Sequence, residues 1–175
     1  MKSLDQLATV HNWPMNPTGI LRRAADGIDL ELTREIAASR EDVWASLTES
    51  DRTALWFGPW ERLLENMIRV QMAFEEGTPW SVMRIDACEA PSRLAVSMIH
   101  DAGSWSMEVL LTESQGTTLV TLIQHLSDTE GIGEIGPGWE YYLDMLVNSR
   151  NEEPLPSFDD YYPAQAEYYS SLSPR

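Results

Sequence analysis

Between residues 28 and 36 the chain alternates. Ile28, Leu30, Leu32 and Ile36 stand on one side of a period of two, and Asp29, Glu31, Thr33 and Glu35 stand on the other. That period predicts a β-strand with one dry and one wet face, and it places Arg34 on the dry side. A shorter run over 20–25 precedes it across Asp26-Gly27. Asp-Gly between two such runs predicts a hairpin, because glycine tolerates positive φ. Upstream, residues 3–10 have the pattern of a short helix, with Ser3 as N-cap and Leu4 and Leu7 on one face, ended by Pro14 and Pro17.

The period then changes. Ser39, with Asp42 three residues on, opens a helix whose apolar stripe is Val43, Trp44 and Leu47. A second short helix over 50–56 ends at Gly58-Pro59. From about 65 to 126 strands follow one another: Ile68, Val70, Met72 and Phe74 alternate, a strand over 80–88 follows, and Leu94, Val96, Met98 and His100 share one face. Trp105, Met107, Val109 and Leu111 share the next face, and 117–126 is the last strand. Short turns between consecutive strands predict an antiparallel meander. Ile132, Ile135, Trp139, Tyr142, Leu143, Leu146 and Val147 then recur at spacings of three and four, the broad stripe of a long amphipathic helix, with Pro137 inside it. Beyond 150, prolines at 154, 156 and 163 and four tyrosines mark an irregular tail that packs on the domain. The expected division is an N-terminal extension over 1–18, one domain over 19–150 and the tail over 151–175.

Composition narrows the function. The 175 residues carry 28 acidic side chains against 12 basic ones, a net charge of −16. Such a chain is repelled by phosphate backbones and anionic lipids, so neither nucleic acid nor membrane is an expected partner. Cys88 is the only cysteine, which rules out an internal disulfide and reads as packing within an apolar strand. No hydrophobic run reaches membrane-spanning length and the N-terminus lacks a secretory pattern, so a cytoplasmic location is expected. Seven tryptophans and eight methionines supply bulky, adaptable side chains for a core or a cavity wall.

The stretch 34–60 resembles the opening signature of the SRPBCC (START-like, Bet v 1-like) superfamily, and in particular the bacterial relatives of the activator of Hsp90 ATPase. The residues that carry the resemblance are Arg34 near the strand end, Ala37-Ala38-Ser39, Val43-Trp44, Leu47-Thr48 and Trp56-Phe57-Gly58-Pro59. Gly116-Thr117 and Gly138-Trp139-Glu140-Tyr141-Tyr142-Leu143 match further on, so the resemblance spans about 19–147. It implies an α+β helix-grip fold: a bent antiparallel sheet of about six or seven strands wrapped around a long C-terminal helix, with an apolar pocket between them. It carries over no catalytic residue, since members bind lipids, hormones or polyketides, cyclise polyketides, or stimulate a chaperone.

Candidate chemistry is sparse. Residues 131–136 match G-x-G-x-x-G, but only one helix and a tail remain after them, so no βαβ unit can follow and no dinucleotide cofactor is expected. His11, His100 and His125 lack partners at metal-ligand spacing, so no metal is expected. Arg34 on an apolar face either pairs with a carboxylate such as Asp86 or Glu140, or anchors the carboxylate or phenolate of a ligand, or snorkels to the sheet edge. The Trp56-Phe57-Gly58-Pro59-Trp60 cluster reads as a plug closing one end of the core, or as a pocket mouth or partner surface. The expected function is binding of a small hydrophobic or aromatic molecule in a pocket walled by Arg34, Trp80, Met98, His100, Trp105, Met107, Trp139, Tyr142, Leu143 and Leu146. The alternatives are a polyketide cyclase- or dehydratase-like enzyme using His100 or Arg34, and a chaperone-activator-like interaction module. Self-association as a homodimer through Tyr161-Tyr162 and Tyr168-Tyr169 is the expected protein contact.

Overall fold

The computed structural model describes residues 16–100 and 103–175, so the helix expected over 3–10 lies outside the described residues. The hairpin forms from β1 (Ile20–Ala24) and β2 (Gly27–Ile36), but its register differs by one residue from the expected turn. Ala24 pairs with Gly27, so Ala25-Asp26 is the loop. Gly27 is the first residue of the strand, and a Cβ there would lie 2.2 Å from the Leu126 carbonyl oxygen. Its glycine serves a close backbone approach.

Ser39 caps α1 (Arg40–Thr48), its Oγ accepting from the Asp42 amide at 3.3 Å. The one-turn α2 (Ser50–Thr53) follows. Six strands come next: β3 (Trp60–Leu64), β4 (Met67–Gln71), β5 (Trp80–Glu89), β6 (Arg93–His100), β7 (Gly103–Ser114) and β8 (Thr117–Leu126). All eight strands form one antiparallel sheet in the order β1-β2-β8-β7-β6-β5-β4-β3. The sheet thus has one strand more than the upper end of the expected range. The extra strand, β3, sits at the sheet edge with four of its five residues exposed, so no apolar alternation announces it.

The long helix α3 (Ile132–Arg150) runs through Pro137, which lies in its second turn and costs it one hydrogen bond. Its inward residues, Trp139, Leu143 and Leu146, join Leu30, Leu32, Met107 and Leu122 from the sheet in one hydrophobic core. The architecture is α+β, a helix-grip fold. Past α3 the chain makes a 3₁₀ turn (Phe158–Asp160) and a short helix α4 (Ala166–Ser170). Tyr161 and Tyr169 are fully buried, and the Arg175 backbone exchanges 3.0 Å hydrogen bonds with Leu21 and Arg23 of edge strand β1. Two of the tyrosines expected to make a self-association surface are therefore turned inward on their own chain. The glycine-rich start of α3 has a packing reason: a Cβ at Gly136 would lie 2.2 Å from the Tyr169 ring.

Candidate functional site

Residues opposite one another in neighbouring strands share a face. On the concave face, Ile85 pairs with Val96 and Val96 with Met107. One step along, Cys88 pairs with Leu94, Leu94 with Val109, and Val109 with Leu122. These two cross-strand rows floor a cavity of about 270 Å³. Trp139 of α3 closes one side, its indole N–H donating to Gln124 Oε1 at 2.5 Å.

The opposite side is the aromatic cluster between α2 and β3. Trp56 donates its indole N–H to the Ser46 carbonyl at 2.9 Å, and Trp60 donates to the Thr48 carbonyl at 3.1 Å. With both N–H groups held by α1, the ring bodies are free to wall the cavity. Phe57 lies between them and the helix, its ring centroid 5.0 Å from that of Tyr142. The cluster therefore plugs the core and lines the cavity together.

The lining is mostly apolar and its hydroxyls are engaged. Thr48 donates to the Trp44 carbonyl at 2.8 Å, and Thr53 donates to the Gly58 carbonyl at 2.7 Å. The Glu108 carboxylate accepts from Arg93 at 2.9 Å. Arg62 stands at the rim with its guanidinium 5.7 Å from the Trp60 ring centroid. Cys88 lines the cavity as an exposed free thiol.

Of the expected wall residues, Met107 and Trp139 line this cavity. Met98, Leu143 and Leu146 are buried in the core but lie outside the lining. Tyr142 packs beside Phe57 and donates its hydroxyl to Glu75 at 2.6 Å; burial, reinforced by Glu75, pushes its pKa well above the usual phenol range. Trp80 pairs with Gln71 on the face opposite Met83, is exposed, and carries the Arg69 guanidinium 4.6 Å over its ring. Trp105 shares the concave face with Met98 but is exposed and outside the lining. The His100 side chain lies outside the described residues. His125 is on the convex face, its Nδ1 2.7 Å from Asp29.

Arg34 is a different case. It is buried, and its Nε donates to Asp144 Oδ1 at 2.7 Å while Nη2 donates to Glu140 Oε2 at 2.6 Å. Burial alone would lower its pKa, but the Asp144 and Glu140 charges hold it above the ordinary value. Tyr161 donates to Asp144 Oδ2 at 2.8 Å, and Tyr169 donates to Glu140 Oε1. Burial, then the adjacent carboxylates, raises both phenol pKa values beyond the usual range. The guanidinium therefore pairs within the chain, in a network that ties β2, α3 and the tail together. Glu140 was a named candidate partner; Asp144 was not, although it stands one helical turn beyond Glu140.

The apolar lining residues Val70, Met83, Ile85, Val96 and Val109 were not among the expected walls. For Val70, Val96 and Val109 the signal is the alternation of their strands, whereas for Met83 and Ile85 it is the register of β5.

The sequence matches the family described as Activator of Hsp90 ATPase homolog 1-like protein over residues 37–149. No curated protein matches the sequence. Among solved structures, CalU16 from Micromonospora echinospora is 22% identical with a TM-score of 0.71, over 90% of this chain and 96% of that one. A conserved protein of unknown function from Enterococcus faecalis, EF2215, is 19% identical with a TM-score of 0.68, over 89% and 92% of the two chains. DynU16, a protein of the dynemicin biosynthetic locus, is 19% identical with a TM-score of 0.64, over 74% of this chain and 50% of that one. At these identities the likeness establishes the fold. No helix among the described residues is long and apolar enough to cross a membrane.

Proposed function

This chain belongs to the Activator of Hsp90 ATPase homolog 1-like family, and from that premise we propose that it binds a small hydrophobic molecule in the cavity between sheet and α3. The observation that carries the reading is the pair of cross-strand rows, Ile85-Val96-Met107 and Cys88-Leu94-Val109-Leu122, roofed by Trp139 but leaving about 270 Å³ unfilled. Interiors normally pack to crystal-like density, so an apolar void of this size on a well-paired sheet supports a binding role. The lining threonines are engaged with backbone carbonyls, which favours retention of an apolar molecule over proton transfer to it.

The test is native mass spectrometry of the purified chain beside Val96→Phe, which puts a ring into the cavity floor. An apolar small molecule retained one-to-one by the parent chain and lost from the variant is the expected result. A parent chain with no added mass, even after incubation with a panel of apolar aromatics, would defeat the reading.

A further inference from the structure

We propose that the ligand is an apolar molecule bearing one anionic oxygen group, and that Arg62 at the cavity rim receives that group. The inference rests on the binding role above and adds the ligand's charge.

The register places Arg62 on the cavity side. Trp60 pairs with Val70 and Arg62 with Ile68, and Trp60, Ile68 and Val70 are all lining residues. Between them Glu61 pairs with Arg69 on the other face, where they form a 2.5 Å ion pair. The acid next to Arg62 in sequence is thereby held away on the convex side. Among the described residues no carboxylate lies within ion-pair distance of Arg62; the same holds for Arg23, Arg40 and Arg175, but of these four only Arg62 lines the cavity, while Arg22, Arg34, Arg52, Arg69, Arg84, Arg93 and Arg150 each hold at least one. What distinguishes Arg62 is its place: a guanidinium free of carboxylates on the lining of an apolar cavity, in a chain with 28 acids for 12 bases.

The side chain is also positioned. Its Nη1 donates to the Glu65 carbonyl at 2.6 Å, and the guanidinium rests against the Trp60 ring. Those contacts fix the planar fork and leave further N–H donors for a carboxylate, phenolate or sulfonate. Glu108, the other charged lining residue, stands between Met107 and Val109 in β7, so its carboxylate turns to the convex face, where it pairs with Arg93. An apolar body in the cavity would thus bring its polar end to Arg62.

The experiment uses two fluorescent probes that differ by one sulfonate: 1-anilinonaphthalene-8-sulfonate and N-phenyl-1-naphthylamine. Their dissociation constants are measured for the parent chain, Arg62→Gln, Arg62→Lys and Val96→Phe. Arg62 is at the rim, and an unchanged urea midpoint for Arg62→Gln checks that the fold is intact. Arg62→Gln is expected to weaken the sulfonated probe about fivefold and the neutral one by less than about twofold, with Arg62→Lys between. If Arg62→Gln weakens neither probe, or both equally, the role of Arg62 is overturned while cavity binding stands. If the parent chain binds neither probe, or Val96→Phe leaves binding unchanged, the binding role fails and this inference fails with it.

Discussion

Two sides of α3 meet the rest of the molecule in opposite ways. Toward the sheet, Trp139 looks across a void lined by Val96, Met107 and Val109, where little but van der Waals contact operates. Toward β2 and the tail, Glu140 and Asp144 are fully buried in a network with Arg34, Tyr161 and Tyr169, where each ionised group has a charged or hydroxyl partner. The first side is apolar and incompletely filled; the second is polar and saturated. A void can accept a guest because filling it gains contacts, whereas a saturated ionic cluster has no donor or acceptor to offer one. Arginine within a helix-grip interior is thus no sign of a ligand anchor until its partners are known.

The sharpest way to break the contrast is Arg34→Met. It strands two buried carboxylates, and a loss of about 3–5 kcal/mol in urea unfolding is expected. The triple change Arg34→Met, Glu140→Gln, Asp144→Asn should recover part of it, because the uncompensated charge is what destabilises. A result in which Arg34→Met costs under about 1 kcal/mol would mean the network is not the fastening described here.

Alkali attacks the same side. Tyr161 and Tyr169 keep their protons in the folded chain past the ordinary phenol value of 10.0. The unfolded chain releases them near that value, so above about pH 10 it binds fewer protons than the folded one. Their contribution is present below pH 10 and is lost as pH rises beyond it. Urea midpoints should fall between pH 9 and pH 11, with the 295 nm tyrosinate absorbance of these two residues appearing only on unfolding. Tyr161→Phe with Tyr169→Phe should flatten that fall.

The cavity side should respond more mildly. Val96→Phe is expected to change stability by about 1 kcal/mol or less, since the added ring enters existing space, while abolishing probe binding. A loss as large as that of a core overpacking variant would show that the void collapses in solution.

The smallest effect is expected where charge is exposed. Asp42 bridges Arg150 and Arg52, and those hydrogen bonds hold its carboxyl below its ordinary value of 3.8. The stability it adds is present at neutral pH and is lost as pH falls below 3.8 through the folded value. Asp42→Asn should cost under about 1 kcal/mol at pH 7, and the difference from the parent chain should shrink steadily as pH falls below 3.8, read from thermal midpoints.

What was legible in the chain follows the same division. The alternation of Leu30, Leu32 and Ile36, the Ser39 cap and the spacing from Ile132 to Val147 are local signals, carried by side-chain period and neighbouring backbone groups. They named most strands, α1, α2 and α3 and their order, and the arginine's position on the dry face. β3 escaped because an exposed edge strand has no dry face to alternate. Which residues line the cavity was not local. In β5 it depends on register, where one step turns a side chain to the other face: Trp80 fell outside and Ile85 inside. In β6 and β7 the face was legible, but only the packing of α3 and the aromatic cluster decides that Val96 and Val109 meet the void while Met98 and Trp105 on the same face do not. The partners of Arg34 lie 106 and 110 residues away on α3, and its tyrosine neighbours farther still in the tail. Period states which face of an element is dry. Only the packing of distant elements decides whether that face meets an empty space, another side chain or a charge.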